Sequence, residues 1–216
     1  MVMPSNNTGS VVREMHVQYP GRLGLLMSPG GLRRPPPGMR YALDNGAFSA
    51  WSNGTPWDEA AFRAAVDAAW KAYGPPLWVT VPDVVADRSA TLARWDEWAD
   101  ELRHIRRAFV VQDGMDERDV PQEASVVFVG GTTEWKRATL PLWCRSFRRV
   151  HVGRINTERW LWVCHDLGAE SCDGTGWLRG DKKQLDGLRS YLEMSSGMKK
   201  REPVLFPEMR REARDE

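Results

Sequence analysis

Carboxylates, a carboxamide and glycines recur at one kind of place in this sequence, directly after short apolar runs. Asp44-Asn45-Gly46 follows the run 40–43, Asp83 follows 77–81, and Gln112-Asp113-Gly114 follows 108–111. Gly130-Gly131 follows 125–129, Gly153-Arg154 follows 150–152, and Asp173-Gly174 follows the brief pair 171–172. Asp and Gly are ordinary turn formers, so none of these dipeptides is a site by itself. Their repetition at successive run ends is the signal, and Gln112 is a residue that turn chemistry does not call for.

Such a set is chemically suggestive. Of two carboxylates facing a glycosidic bond, one can attack the anomeric carbon and hold the sugar as an ester while the other moves the proton. A carboxylate beside an amide and backbone N–H groups can read guanine. The carboxylate accepts from N1–H and the exocyclic amino group, and the amide and glycine N–H groups donate to O6. A site built that way rejects a base lacking those groups by as much as ~10⁴-fold. The histidines offer no comparable cluster: His16 falls in an N-terminal arm, His151 within an apolar run, and His104 and His165 in helical stretches. No metal or cofactor is expected.

Residues so far apart in sequence meet only if the runs are strands that end on one face. The runs 23–27, 40–43, 77–81, 108–111, 125–129, 150–152 and 171–172 are continuously apolar, as strands buried on both sides of a parallel sheet are. Helical spacing lies between them. Thr55-Pro56-Trp57-Asp58 is a capping-box-like start, after which Phe62, Val66, Ala69 and Tyr73 share a face until Gly74-Pro75-Pro76. Asp87 caps a second helix bearing Leu92, Trp95, Trp98, Leu102 and Ile105. Asn156 caps another that ends near Gly168, and a last one spans 181–192. Pro141 is expected to break or shorten the helix after Thr132. Strand–helix alternation selects an α/β fold, and seven strands with 204–206 as a weak eighth favour a small (β/α)8 TIM-type barrel. No glycine-rich dinucleotide fingerprint follows the first strand. The expected organisation is an irregular arm over 1–20, the barrel over 21–207 and a charged tail over 208–216.

Composition narrows the class further. The chain has 216 residues, 30 Lys+Arg against 29 Asp+Glu, 42% hydrophobic and 27% charged residues, which excludes disorder and collagen-like repeats. Three cysteines, Cys144, Cys164 and Cys172, without a CxxC spacing read as buried thiols. No apolar run reaches the ~18 residues of a membrane span, and residues 1–30 lack a signal-peptide core, so a soluble cytoplasmic protein is expected. A net charge of +1 argues against binding nucleic acid by bulk charge alone. Eleven tryptophans are the outlier; most are assigned to packing, with Trp51 and Trp177 placed beside the aspartates to stack on a planar base.

The ordered set Leu43-Asp44-Asn-Gly-Ala-Phe48, Val81-Pro-Asp83, Val111-Gln112-Asp-Gly114, Val129-Gly-Gly131 and Ser171-Cys-Asp173 resembles the tRNA-guanine transglycosylase superfamily, over roughly residues 23–192. The resemblance implies a (β/α)8 barrel that exchanges a guanine in nucleic acid for a 7-deazaguanine. It implies Asp173 as nucleophile, Asp44 as general acid/base, Asp83 and Gln112 as the base-reading pair, Gly130 and Gly131 as backbone donors to the base carbonyl, and Phe48 as a pocket-lining aromatic. The family's DSGGF-like segment reads Asp-Asn-Gly-Ala-Phe here, and the Cys/His zinc site that follows the nucleophile in the tRNA enzymes is missing. A compact member without the zinc subdomain looks more like the family's DNA-modifying offshoot, with DNA preferred over RNA as partner and a free 7-deazaguanine as second substrate. Arg154 and Arg179, with Lys182 and Lys183 nearby, are candidates to hold phosphates. Two rivals stand beside this: an N-glycosidase in which water resolves the ester, and a non-catalytic nucleic-acid-binding barrel.

Overall fold

The computed structural model describes residues 1–179 and 182–198. Eight parallel strands form a nearly closed barrel: β1 Val2–Pro4, β2 Leu25–Met27, β3 Tyr41–Leu43, β4 Val79–Thr80, β5 Arg107–Val111, β6 Val126–Val129, β7 Val150–Val152 and β8 Ser171–Gly174. Hydrogen-bonded ladders run from β2 through β8 and on to β1. The remaining seam, between β1 and β2, is stitched by single bridges. Gly24 N–H donates to Val2 O (2.9 Å) and Asn6 N–H to Leu26 O (2.8 Å).

Residues 1–20 are therefore not an irregular arm. They supply β1 and the helix α1, Ser10–Gln18, with Val12 and Met15 buried. A three-residue strand followed at once by Ser5 and Asn6 carries too little periodicity to declare itself. Because β1 completes the barrel, the eighth strand lies at the N-terminus; residues 204–206 and the 208–216 tail fall outside the described residues.

The other helices are α2 Ala47–Ser52, α3 Glu59–Tyr73, α4 Arg88–Trp98, α5 Thr133–Ser146, α6 Glu158–Asp166 and α7 Lys182–Ser195. Asp87 caps α4 as expected, accepting from Ala90 N–H (2.9 Å), whereas α3 starts three residues later than the Thr55 reading, with Asp58 as its cap accepting from Ala61 N–H (2.9 Å). Two further expectations fail locally. Thr157, not Asn156, caps α6, and α5 runs through Pro141, whose interior position costs about 3 kcal/mol. Burial of Leu140 and Trp143 on either side of the proline offsets that cost. The helix α4 ends at Trp98, so Leu102, His104 and Ile105 lie in the turns that follow it. Strand–helix alternation also lapses twice. A 3₁₀ turn, Pro29–Gly31, serves as the return after β2, and another, Glu117–Asp119, the return after β5. Among the described residues no helix is long and apolar enough to cross a membrane.

Alternation along the strands splits the core in two. Met3, Leu26, Ala42, Trp78, Ala108, Val110, Val126 and Phe128 form the barrel interior. Their strand neighbours, such as Leu25, Leu43, Val79, Phe109, Val127 and Val152, face outward and pack with the inner faces of the helices. Within the barrel, Trp78 makes edge contacts with His151 (4.8 Å) and Phe128 (5.9 Å between ring centroids). Small residues in the same cluster, Ala42 and Ala108, leave room for its ring. Trp78→Ala is expected to lower unfolding free energy by ~3–5 kcal/mol in urea denaturation. A loss under about 1 kcal/mol would contradict this packing.

Candidate active site

The inward row of each strand continues one step beyond the apolar layer, and that step is the candidate site. Two residues after Ala42 stands Asp44; after Val110, Gln112; after Phe128, Gly130; after His151, Gly153; after Ser171, Asp173. Asp83 arrives just past β4. These residues line one cavity of about 480 Å³ at the C-terminal mouth, with Ser5, Asn45, Phe48, Gly131, Arg154 and Arg179 on its walls. All eight positions singled out from the sequence, Asp44, Phe48, Asp83, Gln112, Gly130, Gly131, Arg154 and Asp173, border it.

Asp173 is nearly buried, 6% exposed, and both its oxygens are occupied. Oδ2 accepts from Ser5 Oγ (3.3 Å), and Oδ1 accepts from Arg154 N–H (3.2 Å) and faces His151 Nε2 (3.1 Å). His151 is wholly buried, and its Nδ1 meets Ser171 Oγ at 2.8 Å. With the ring proton on Nε2 both contacts are satisfied, Nδ1 accepting from Ser171 and Nε2–H donating to Asp173. Neither Ser5 nor His151 was expected at the site. Ser5 went unseen because β1 did, whereas His151 was legible: it lies two residues before Gly153 on the same inward row.

Asp83 is held differently. Asn45 Nδ2 donates to its Oδ1 (2.7 Å) and Gln112 Nε2 to its Oδ2 (2.6 Å). Burial still raises its pKa to about 6, against those two donors. Asn45 is itself locked: Nδ2 also reaches Val81 O (3.0 Å) and Oδ1 accepts from Ala47 N–H (2.7 Å). Asp44 receives less help. Burial, then the Asp173 and Asp83 carboxylates, raise it to about 7, opposed only by the backbone N–H groups of Gly46 and Asn45.

The expected role of the two glycines as free donors fails. Gly130 N–H is spent on Val111 O (3.1 Å), and Gly131 N–H donates to Gln112 Oε1 (3.1 Å), which also takes Ala86 N–H (3.0 Å). Strand continuation consumes the first, and bracing of the glutamine consumes the second. With Oε1 filled, the amide is oriented so that Nε2 faces Asp83 and retains one further N–H. Gly131 needs to be glycine for another reason: at φ +67° a Cβ would come within 2.6 Å of Asp113 Oδ2.

Backbone strain gathers around this cavity. The non-glycine residues at positive φ among the described residues are Asn6 (51°), Ala86 (58°) and Arg154 (60°). Asn6 and Arg154 line the cavity and Ala86 adjoins its lining residue Val85. Two of the three spend their N–H groups on Gln112 and Asp173. That left-handed geometry costs of order 1 kcal/mol or more per residue and persists only where surroundings enforce it.

At the rim an aromatic pair meets a cation. Phe48 and Trp51 pair at 5.7 Å on α2, and the Arg154 guanidinium lies 4.1 Å from the Phe48 centroid while donating to Gly131 O. Burial lowers the Arg154 pKa, countered by Asp173 and Asp113. Trp51 is 59% exposed, so it is available for stacking, whereas Trp177 is 1% exposed and belongs to the core. The latter's expected place beside a ligand is withdrawn. Lys182 and Lys183 are exposed on α7 and do not line the cavity.

Comparison of the sequence with protein-family models finds no match, and comparison with curated proteins finds none either. Among solved structures the chain is similar to a 3-hexulose-6-phosphate synthase, at 12% identity over 88% of this chain and 97% of that one, with a TM-score of 0.49. At that distance the chemistry of the mouth has to be read from its own side chains.

The Asp44 environment has a consequence for stability. Its folded pKa, about 7, lies above the ordinary value of 3.8, so the folded state holds a proton that the unfolded chain releases. Stability is therefore greatest below about pH 4 for this group and is lost as pH rises toward about 7. Asp83 contributes the same sign. Asp44→Asn, which cannot ionise, should exceed the wild type by about 1–3 kcal/mol at about pH 8, with the gap closing near pH 4. Urea denaturation at both pH values measures it, and equal stabilities at the higher pH would refute the assignment.

Proposed function

We propose that this barrel is a nucleic-acid guanine transglycosylase, an enzyme that exchanges a guanine, in DNA by preference, for a 7-deazaguanine through an ester on Asp173. The observation that carries the reading is one cavity in which two carboxylates of unlike environment, Asp173 and Asp44, adjoin a third carboxylate paired with an amide. Acids held in unlike surroundings let one site run both nucleophilic and proton-transfer chemistry.

In this reading an Asp173 oxygen attacks C1′ of the target nucleotide. As that bond forms, the C1′–N9 bond breaks and its electron pair leaves with guanine. Asp44, near pKa 7 and so available in both forms at neutral pH, delivers the proton to the departing base. The incoming base returns a ring N–H proton to Asp44, its nitrogen attacks C1′, and Asp173 is released as carboxylate. Two inversions give net retention at C1′. Ser5 and the Ser171–His151 chain aim the nucleophile as positioning residues, keeping it fixed while the sugar is exchanged.

Base recognition falls to Asp83 and Gln112. Ionised Asp83 accepts from N1–H and the exocyclic amino group, and the remaining Gln112 N–H donates to O6. Gly131 and Ala86 act through Gln112 by clamping its carbonyl. A target base has to leave the stack to enter such a pocket, and the exposed Phe48–Trp51 pair offers a surface for the strand it leaves.

Incubation with a guanine-containing oligonucleotide, labelled 7-deazaguanine and intact-mass detection tests the reading, with DNA and RNA of the same sequence in parallel. Wild type should release guanine, incorporate the label and show a protein–oligonucleotide adduct. Asp173→Asn should abolish all three, and Asp44→Asn should slow exchange by ~10²–10⁴-fold. Exchange by Asp173→Asn at the wild-type rate sinks the mechanism. Guanine release without incorporation would favour the N-glycosidase instead.

A further inference from the structure

A second cavity, of about 180 Å³, lies between the beginnings of α5 and α6 and shares Arg154 and Asn156 with the first. Its walls include Thr133, Lys136, Arg137, Thr157 and Trp160, and no carboxylate lines it. Lys136 and Arg137 thus line one small space together with Arg154, whose guanidinium turns toward the mouth, and among the described residues none of the three is in an ion pair. The acid nearest in sequence on α6, Glu158, lies against Gly187 of α7 instead.

Lys136 makes the cavity unusual. It is 4% exposed, and its ammonium donates to a neutral group, the Gly153 carbonyl. A buried cation without a counter-charge is costly, and an anion in the adjoining space relieves that cost. Burial, followed by the neighbouring Arg154, lowers its pKa to about 8, while Asp173 acts in the opposite direction. Arg137 lies 4.7 Å from the Trp160 ring centroid, so the ring steadies a guanidinium suited to two-pronged contact with a phosphate. The first turns of α5 and α6 add threonine hydroxyls and the positive ends of two helix dipoles.

We propose that this cavity is a phosphate subsite that receives a phosphodiester of the polynucleotide flanking the target nucleotide. At ~30 Å³ per water the space equals about six waters, ample for a phosphate group. Arg154 forms part of both cavities, so a strand whose nucleotide occupies the catalytic mouth has a cation-lined continuation beside it. The inference rests on the nucleic-acid reading of the mouth and narrows it: the substrate is a polymer, because a nucleoside leaves this cavity empty.

Equilibrium binding by the full chain tests it, using a short guanine-containing single strand, deoxyguanosine and inorganic phosphate as separate probes. Arg137→Glu should weaken oligonucleotide binding ~10-fold or more near 0.1 M salt, and should reduce the log–log salt slope by about one. Deoxyguanosine binding should be unchanged. Arg103→Glu, at an exposed arginine paired with Asp100, should bind the oligonucleotide as the wild type does. An unchanged oligonucleotide affinity and salt slope in Arg137→Glu overturns the proposal, as does an equal loss for deoxyguanosine or no oligonucleotide binding by the wild type. Weakened inorganic phosphate binding with unaltered oligonucleotide binding assigns the cavity to a free phosphate and overturns the polymer assignment. These readouts need no turnover, so failure of base exchange and failure of the subsite are separate results.

Discussion

A strand in a closed barrel has only two directions in which to point a side chain, and everything at the mouth follows from that restriction. The inward positions must be filled tightly, here by Trp78, Phe128, His151 and small partners such as Ala42 and Ala108. The same period of two that places those residues also carries each strand to one more inward position, at the level where the barrel opens. Side chains there border the cavity and not the packed apolar layer below. Asp44, Gln112 and Asp173 occupy that level together with Gly130 and Gly153, whose missing side chains leave room for the cavity. At Gly153 a Cβ would stand 2.7 Å from Phe128 Cε1, so the floor below also dictates the glycine above.

Carboxylates gathered in such a mouth repel one another and lose hydration, and the structure distributes relief unevenly. Asp173 has donors from β1, β7 and the β7 loop, and Asp83 has two amides. Asp44 has backbone donors alone, and it carries a larger upward shift than Asp83. The unequal hydrogen bonding is what separates the roles in the proposed reaction. Much of it is bought with strained backbone at Ala86 and Arg154, whose left-handed geometry turns N–H groups inward.

How much of this was legible in the sequence depended on whether a residue was tied to a run long enough to show its period. The strands from β3 to β7 and the cap of α4 were readable because apolar runs and Asp caps are local signals. The site residues followed from position at the run ends, without any contact being known. β1 was not readable, since Val2–Pro4 has no room to alternate, and Ser5 was lost with it. The hydrogen-bond partners were not readable either. Whether Gly131 N–H points to a ligand or to Gln112 depends on a left-handed φ and on the distance to a side chain nineteen residues away in sequence. Lys136 was hidden for a similar reason, because a lysine on a helix reads as solvated until the loop it reaches, Gly153, is placed behind it.

The near-neutral total charge concealed a separation that matters more than the sum. Three acidic side chains sit in the mouth, while Arg154, Lys136 and Arg137 stand on the α5–α6 side of it. Phe48 and Trp51 on α2 carry no charge, and the Arg154 guanidinium lies against the Phe48 ring. A polyanion approaching this face would meet attraction at these cations, a stacking surface at the aromatic pair, and repulsion at the floor. Such an arrangement orients a strand more than it attracts one, consistent with a net charge of only +1. Economy in the scaffold fits the same picture: the returns after β2 and β5 are reduced to 3₁₀ turns, whereas full helices are kept in α5 and α6, the two that build the cationic wall.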